Sequence, residues 1–272
     1  MSNGTKVKKR DGRIESLDLD KMHKMVDEAT KGLSGVSASQ VEMQSGIQFY
    51  DGITTDEIQE ILIRSASDLI DLDHPNYQFV AARLLLFSLR KQVFENKNGA
   101  APTLRDHITK LAYDGLYDKD IFTKYSQEEI DKVGTYIDHD RDMLFTYAGL
   151  RQVVDKYLVQ DRTGGRVYET PQFMYMMISL VIFQNYPKET RLDYVRRYYN
   201  AISKHRINIP TPIMAGVRTP LRQFASCVLV DSDDTLDSIF SSDMAIGRYV
   251  AQRAGIGINA GRIRGINAKI RG

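Results

Sequence analysis

The sequence predicts an α+β protein that is mostly helical, on three observations. Apolar residues recur at helical spacing through most of the chain up to about residue 205, Asp-Gly and Gly-Gly steps punctuate short β-type runs, and the chain from residue 221 onward changes to a β-α-β order. The expected product is a β-hairpin lid on a four-helix bundle, then a further helical region, then a single β-α-β unit.

The first element is the hairpin over Lys6 to Leu17, where Asp11-Gly12 favours the positive φ angles of a tight two-residue turn. Four helices follow it. Leu19, Met22, Met25, Val26 and Ala29 share a face of the first, and Ser37 with Gln40 and Thr54 with Glu57 are capping-box pairs for the next two. Pro75 opens the fourth, from Asn76 to about Phe94. Residues 95–101 are polar, contain Gly99 and end before Pro102, so the spacing predicts a linker there.

Beyond it, helices are expected at Leu104 to Leu116, after the Ser126/Glu129 cap, and at Tyr147 to Val159, Pro171 to Asn185 and Lys188 to Lys204, with a second hairpin around Thr163-Gly164-Gly165. Gln223 to Val230 reads as a strand, Thr235 to Ala254 as a helix and Gly255 to Ala260 as a second strand. A β-α-β order makes parallel neighbours, and parallel sheets are normally covered on both faces or closed into barrels. Two strands do not finish such a sheet, so other polypeptide is expected to complete it. The expected division is 1–95, 102–220 and 221–272.

Composition narrows the function. The 272 residues are 42% hydrophobic and 26% charged, ordinary values for a folded globular protein. Thirty-seven basic against 35 acidic residues leave +2, too little field for sequence-independent nucleic-acid binding, so no polynucleotide partner is expected. Apolar runs such as Leu84 to Phe87 are far short of the roughly 20 residues of a bilayer crossing, and the polar start Met1-Ser2-Asn3-Gly4 is unlike a signal peptide. The expected compartment is cytoplasmic, with no membrane partner. Cys227 is the only cysteine, so an internal disulfide and a cysteine-rich zinc cluster are both excluded. By itself a lone cysteine reads as a small buried hydrophobe.

Several motifs carry a resemblance. Val7-x-Lys9-Arg10-Asp11-Gly12-x-x-Glu15, followed by Lys21, resembles the ATP-cone module that senses ATP and dATP. Asp138 to Met143, Pro210 to Gly216, Arg222 to Val228 and Gln252 to Arg264 follow in order, and together the motifs resemble the large subunit of class Ia ribonucleotide reductase over essentially the whole chain. The resemblance implies that the closing β-α-β unit is the first of a ten-stranded α/β barrel.

It implies roles as well. Cys227 matches the substrate-reducing cysteine, whose thiol gives hydrogen and an electron at the ribose 2′ position and ends in a disulfide with a second cysteine. Thr211, Ala225, Ser226, Ala254 and Gly255 match substrate-binding positions. Asp234, Thr235, Leu236, Arg264, Ile270 and Arg271 match a specificity site for deoxynucleoside triphosphates. Val7, Lys9, Arg10, Glu15, Lys21, Thr55, Gln59 and Lys91 match the nucleotide site of the cone, where three lysines and a helix start suit a triphosphate. The plainer readings are a solvated basic edge strand, close packing of small residues, and surface arginines.

The implied cofactors and effectors are ATP or dATP and deoxynucleoside triphosphates with Mg2+, and a thiyl radical generated through a di-iron/tyrosyl small subunit in another chain. The implied partners are a complementary C-terminal large-subunit fragment holding the missing cysteines, the small subunit, a second large subunit, and thioredoxin or glutaredoxin. Either a natural gene split, as in a phage, or a shortened chain accounts for the missing part, and the split is the favoured reading. The family commonly has histidines at Gln59 and Ser88, so dATP shut-off is expected to be weak or absent. Two rivals remain: a free-standing ATP-cone regulator, which would ordinarily carry a four-cysteine zinc ribbon, and a structural assembly subunit with an inert Cys227.

Overall fold

The computed structural model describes residues 5–9, 11–46, 48–95, 99–161, 163–221, 224–252 and 254–270. They form two compact units, Met1–Asn208 and Ile209–Gly272. The chain is mostly helical α+β, as the periodicities predict.

The first unit opens with strands β1 (Lys6–Lys8) and β2 (Ile14–Ser16), paired antiparallel. The turn differs from the two-residue form expected. Lys8 pairs with Ile14, the Lys9 amide donates to Arg13 O at 2.8 Å, and Gly12 sits at φ +85. A longer loop with glycine in the left-handed region replaces the tight turn, and a side chain at that φ would be strained.

Helices α1 (Leu19–Thr30) and α2 (Ala38–Gly46) follow, then a third strand, β3 (Ile53–Thr54), then α3 (Thr55–Asp68) and α4 (Tyr77–Phe94). β3 pairs in parallel with β1, Val7 opposite Ile53, so the hairpin is really part of a three-stranded sheet ordered β2-β1-β3. The Thr54/Glu57 capping box forms in full. Gln40 behaves differently: it accepts from the Tyr77 hydroxyl, which itself accepts from the Ser37 amide at 3.0 Å. A tertiary hydrogen bond to α4 has taken the side chain that a capping box would have used.

The rest of the unit comprises α5 (Leu104–Tyr113), the short α6 (Ile121–Lys124), α7 (Gln127–Gly134), a 3-10 turn at His139–Leu144 and α8 (Tyr147–Lys156). β4 (Gln160–Asp161) and β5 (Arg166–Val167) make the second hairpin, shorter than expected, and α9 (Pro171–Phe183) and α10 (Lys188–Ser203) close the unit. The Ser126/Glu129 box caps α7 as the sequence indicates.

Two helices organise the core because their apolar residues spread well beyond a single stripe, as in a buried helix. In α4, Tyr77, Val80, Leu84, Leu86 and Leu89 are among the buried residues, and in α9 every residue from Pro171 to Leu180 is buried. α4 packs against α1 and α3 on one side and against α8 and the 3-10 turn on the other. The helices on either side of residues 95–101 therefore share one core.

The second unit holds α11 (Thr211–Gly216), β6 (Cys227–Asp231), α12 (Leu236–Ala251) and β7 (Gly255–Asn259). β6 and β7 pair in parallel with Cys227 opposite Gly255. This is the expected β-α-β unit, and its two-stranded sheet contains no further strand among the described residues. Among those residues, no helix of the chain is long and apolar enough to cross a membrane.

Candidate functional site

Three groups of residues were picked out by the sequence, and local structure explains how each is held. In the cone region, Val7 points into the core at 3% exposure, so its neighbours Lys6 and Lys8 face out. Lys9 Nζ lies 3.4 Å from Glu15 across the β1-β2 hairpin. Lys21 Nζ lies 3.0 Å from Asp18, the residue that caps α1. The hydrogen bond that Lys21 donates to that carboxylate holds its ammonium above its usual range, and the charge of Glu15 adds to the effect. Lys9, Glu15 and Lys21 thus share one electrostatic neighbourhood.

Thr55 is the first residue of α3, immediately after the Thr54 cap, and the β1-β3 pairing places that helix start beside the hairpin. Gln59, one turn along α3, donates from Nε2 to the Leu84 carbonyl of α4 at 2.9 Å. Ser88 is four residues on from Leu84, and its amide meets the same carbonyl in the regular helical ladder. Gln59 and the Ser88 backbone thus share the Leu84 carbonyl between α3 and α4. Lys91 lies in the last turn of α4. Arg10 lies outside the described residues.

In the second unit Cys227 opens β6 with its side chain exposed. Its register partner is Gly255, whose amide donates to Ser226 O at 2.8 Å, and Ser226 Oγ lies 3.7 Å from Cys227 Sγ. Ala254, beside Gly255, is buried at 7% exposure. Ser226, Cys227, Ala254 and Gly255 therefore meet at one end of the strand pair, next to Ala225, while Thr211 opens α11 in the same unit. The exposure corrects the reading of a lone cysteine as a buried hydrophobe: the strand presents Cys227 to its uncovered side.

The third group sits at the other end of the same strands. Thr235 caps α12 by accepting from the Ser238 amide at 3.1 Å, and Leu236 is its first residue, 70% exposed. Arg264 Nε meets Asp234 Oδ2 at 2.6 Å and its Nη1 donates to Lys269 O at 3.0 Å. Arg262 reaches Asp231 and Asp233, each at 3.1 Å. Those carboxylates hold the Arg262 guanidinium above its ordinary pKa, the hydrogen bond with Asp233 first. Sequence reading passed over Arg262. Its signal was available, because Arg262-x-Arg264 follows one strand and Asp231-x-Asp233-Asp234 runs out of the end of the other. Ile270 is 81% exposed, and Arg271 lies outside the described residues.

Comparison with known families accounts for this arrangement. The ATP cone domain family matches residues 5–92, the ribonucleotide reductase all-alpha domain matches 143–222, and the ribonucleotide reductase barrel domain matches 225–272. The class so defined is a ribonucleotide reductase large-subunit family with an ATP cone. The chain is 52% identical to Ribonucleoside-diphosphate reductase 1 subunit alpha of Escherichia coli (strain K12), covering 100% of this chain and 36% of the relative. The corresponding subunit of Haemophilus influenzae is also 52% identical, over 100% of this chain and 36% of its own length. The Enterobacteria phage T4 subunit is 44% identical over 97% of this chain and 34% of its own length. The chain belongs to the ribonucleotide reductase large-subunit family and spans about a third of the length of these relatives. The cone and the family suggest that it binds nucleotide effectors.

Proposed function

We propose that the chain is the part of a ribonucleoside-diphosphate reductase large subunit that contributes one redox thiol, part of the substrate surface and two nucleotide-effector surfaces. The reading that carries this is the placement of Cys227: an exposed thiol on a strand with an open neighbour position, next to the Ser226, Ala254 and Gly255 backbone. Ribose reduction takes two hydrogens from two thiols, releases the 2′ hydroxyl as water and leaves a disulfide. Cys227 supplies one of those thiols. The second must come from polypeptide beyond these 272 residues, whose only cysteine is Cys227.

The same polypeptide would complete the parallel sheet, through an interface of the order of 2,000 Å² or more and largely apolar, as in a sectioned domain core. The radical that starts the reaction would be generated by a di-iron/tyrosyl small subunit, and thioredoxin or glutaredoxin would reduce the resulting disulfide. A second large subunit would be a further partner. Deoxynucleoside triphosphate with Mg2+ would meet Asp234, Thr235 and Leu236 at the α12 start, with Arg264, Ile270 and Arg271 nearby.

In the cone, Lys9, Arg10, Lys21 and Lys91 would hold the phosphates of ATP or dATP, with Thr55 at a helix start, while Val7, Glu15 and Gln59 shape the pocket. A free-standing cone regulator is less consistent with an exposed thiol and two matched reductase domains.

The test is reconstitution with the remaining large-subunit polypeptide and the small subunit. Cys227→Ser, or alkylation of Cys227 before assembly, is expected to reduce deoxynucleotide formation to background while assembly persists. Full turnover after alkylation would remove the redox role. Because Gln59 and Ser88 stand where histidines are common, dATP is expected to inhibit weakly or not at all, and Gln59→His with Ser88→His to increase inhibition. Collapse of unmodified activity at micromolar dATP would contradict that expectation.

A further inference from the structure

The Asp138–Met143 motif takes no part in the sites above, yet it contributes to a buried polar cluster in the first unit. Asp142, in the 3-10 turn, is 1% exposed. Its Oδ1 accepts from Gln172 Nε2 of α9 at 2.9 Å, Gln172 Oε1 accepts from the Tyr199 hydroxyl of α10 at 2.6 Å, and that hydroxyl accepts from the Asp138 amide at 3.0 Å. This relay fixes one side of the carboxyl. The other side faces Arg90 of α4.

That second contact is half made. Arg90 Nη2 lies 3.8 Å from Asp142 Oδ2, longer than a hydrogen bond, and donates instead to the His139 carbonyl. Among the described residues, Asp142 Oδ2 and Arg90 Nε both lack a hydrogen-bond partner. An unpaired buried acceptor beside an incompletely paired buried donor is costly. Since N–H···O bonds are about 2.9 Å, a movement of about 1 Å would join them.

We propose that Arg90 and Asp142 form a proton-linked latch between α4 and the His139–Leu144 turn. With the carboxyl protonated, Arg90 rests on the His139 carbonyl, the arrangement described above. With the carboxyl ionised, Arg90 closes onto Oδ2 and ties the end of α4 to the turn and, through Gln172, to α9.

Burial pushes the Asp142 carboxyl up to about 7, so both forms are accessible near neutrality. Every element around it contributes a facing group. Arg90 comes from α4, Asp138 and Asp140 from the turn itself, Gln172 and Tyr175 from α9, and Tyr199 from α10. The two aspartates oppose ionisation, while Gln172 and Arg90 favour it. His139 is held near 4 by burial and is neutral throughout this range.

The experiment is amide exchange by mass spectrometry on the 272-residue chain at a series of pH values on both sides of 7, corrected for intrinsic exchange. The wild type is expected to gain severalfold protection in peptides covering 86–94, whose opening frees Arg90 but leaves Asp142 buried, as pH rises through the transition. D142N, which keeps the Gln172 bond but cannot ionise, is expected to lose that step. R90Q keeps the carboxyl and is expected to lose it also, which preserves the test if D142N does not fold. A step that persists in either variant, or its absence from the wild type, overturns the latch.

Discussion

The two units of this chain solve the burial of secondary structure in opposite ways. In Met1–Asn208 the apolar helices α4 and α9 are enclosed by their neighbours, and polar groups buried with them, such as Glu169 and Gln172, are drawn into hydrogen bonds. In Ile209–Gly272 the apolar side chains lie largely outside: Leu229 is 89% exposed, Phe240 66% and Ile258 57%. A parallel pair is normally covered on both faces. The contrast teaches that the first unit encloses its apolar helices by itself, whereas the second leaves much of its apolar surface uncovered.

The comparison can be broken most forcefully in the first unit. Phe173, fully buried and stacked on His107, is expected to cost about 3–5 kcal/mol when cut to Ala, read from denaturant unfolding of the chain. A loss below 1 kcal/mol would mean that the α9 core does not carry the unit.

Acidification is expected to come next. Burial holds His139 at about 4 against an ordinary 6.5, so the folded state favours the neutral ring. Below pH 6.5 the unfolded chain takes up the proton first, and stability falls until the folded ring titrates near 4, by up to about 3 kcal/mol. Asp142, displaced upward, works in the opposite sense, gaining stability as pH falls from about 7. His139→Gln should therefore reduce the acid loss, measured as unfolding free energy against pH. An unchanged profile would assign the loss to other groups.

A smaller effect sharpens the local picture. Thr54→Ala removes the α3 capping box and is expected to cost about 1 kcal/mol, visible as a lower midpoint with unchanged slope.

Smallest of all should be Leu229→Ala, within about 0.5 kcal/mol in this chain alone despite its strand position. Amides of β6 and β7 are expected to exchange quickly in the isolated chain and slowly once the sheet is completed. Slow exchange in isolation would show that the second unit needs no further covering.

Much of this was legible because it is local. The Thr54 and Ser126 caps, the largely apolar run of α9 and the β-type runs Cys227 to Val230 and Gly255 to Ile258 are written in adjacent residues. β3 was not legible, since two residues show no alternation and its partner Val7 lies 46 positions away. Gln40 was misread because Tyr77 competes for it, and Arg262 was passed over because its acidic partners belong to another strand. The motif residues Cys227, Asp234 and Thr235 were found by resemblance, and their grouping into two ends of one strand pair became visible only in the fold.

By itself the sequence determined the helical character, the caps, the β-α-β order and the single thiol, because these depend on side-chain chemistry within a few residues. Tertiary structure decided which polar groups share a buried space. Arg90 and Asp142 are 52 positions apart, and only the packing of α4 against the 3-10 turn, driven by burial of their apolar neighbours, brings guanidinium and carboxyl within 3.8 Å.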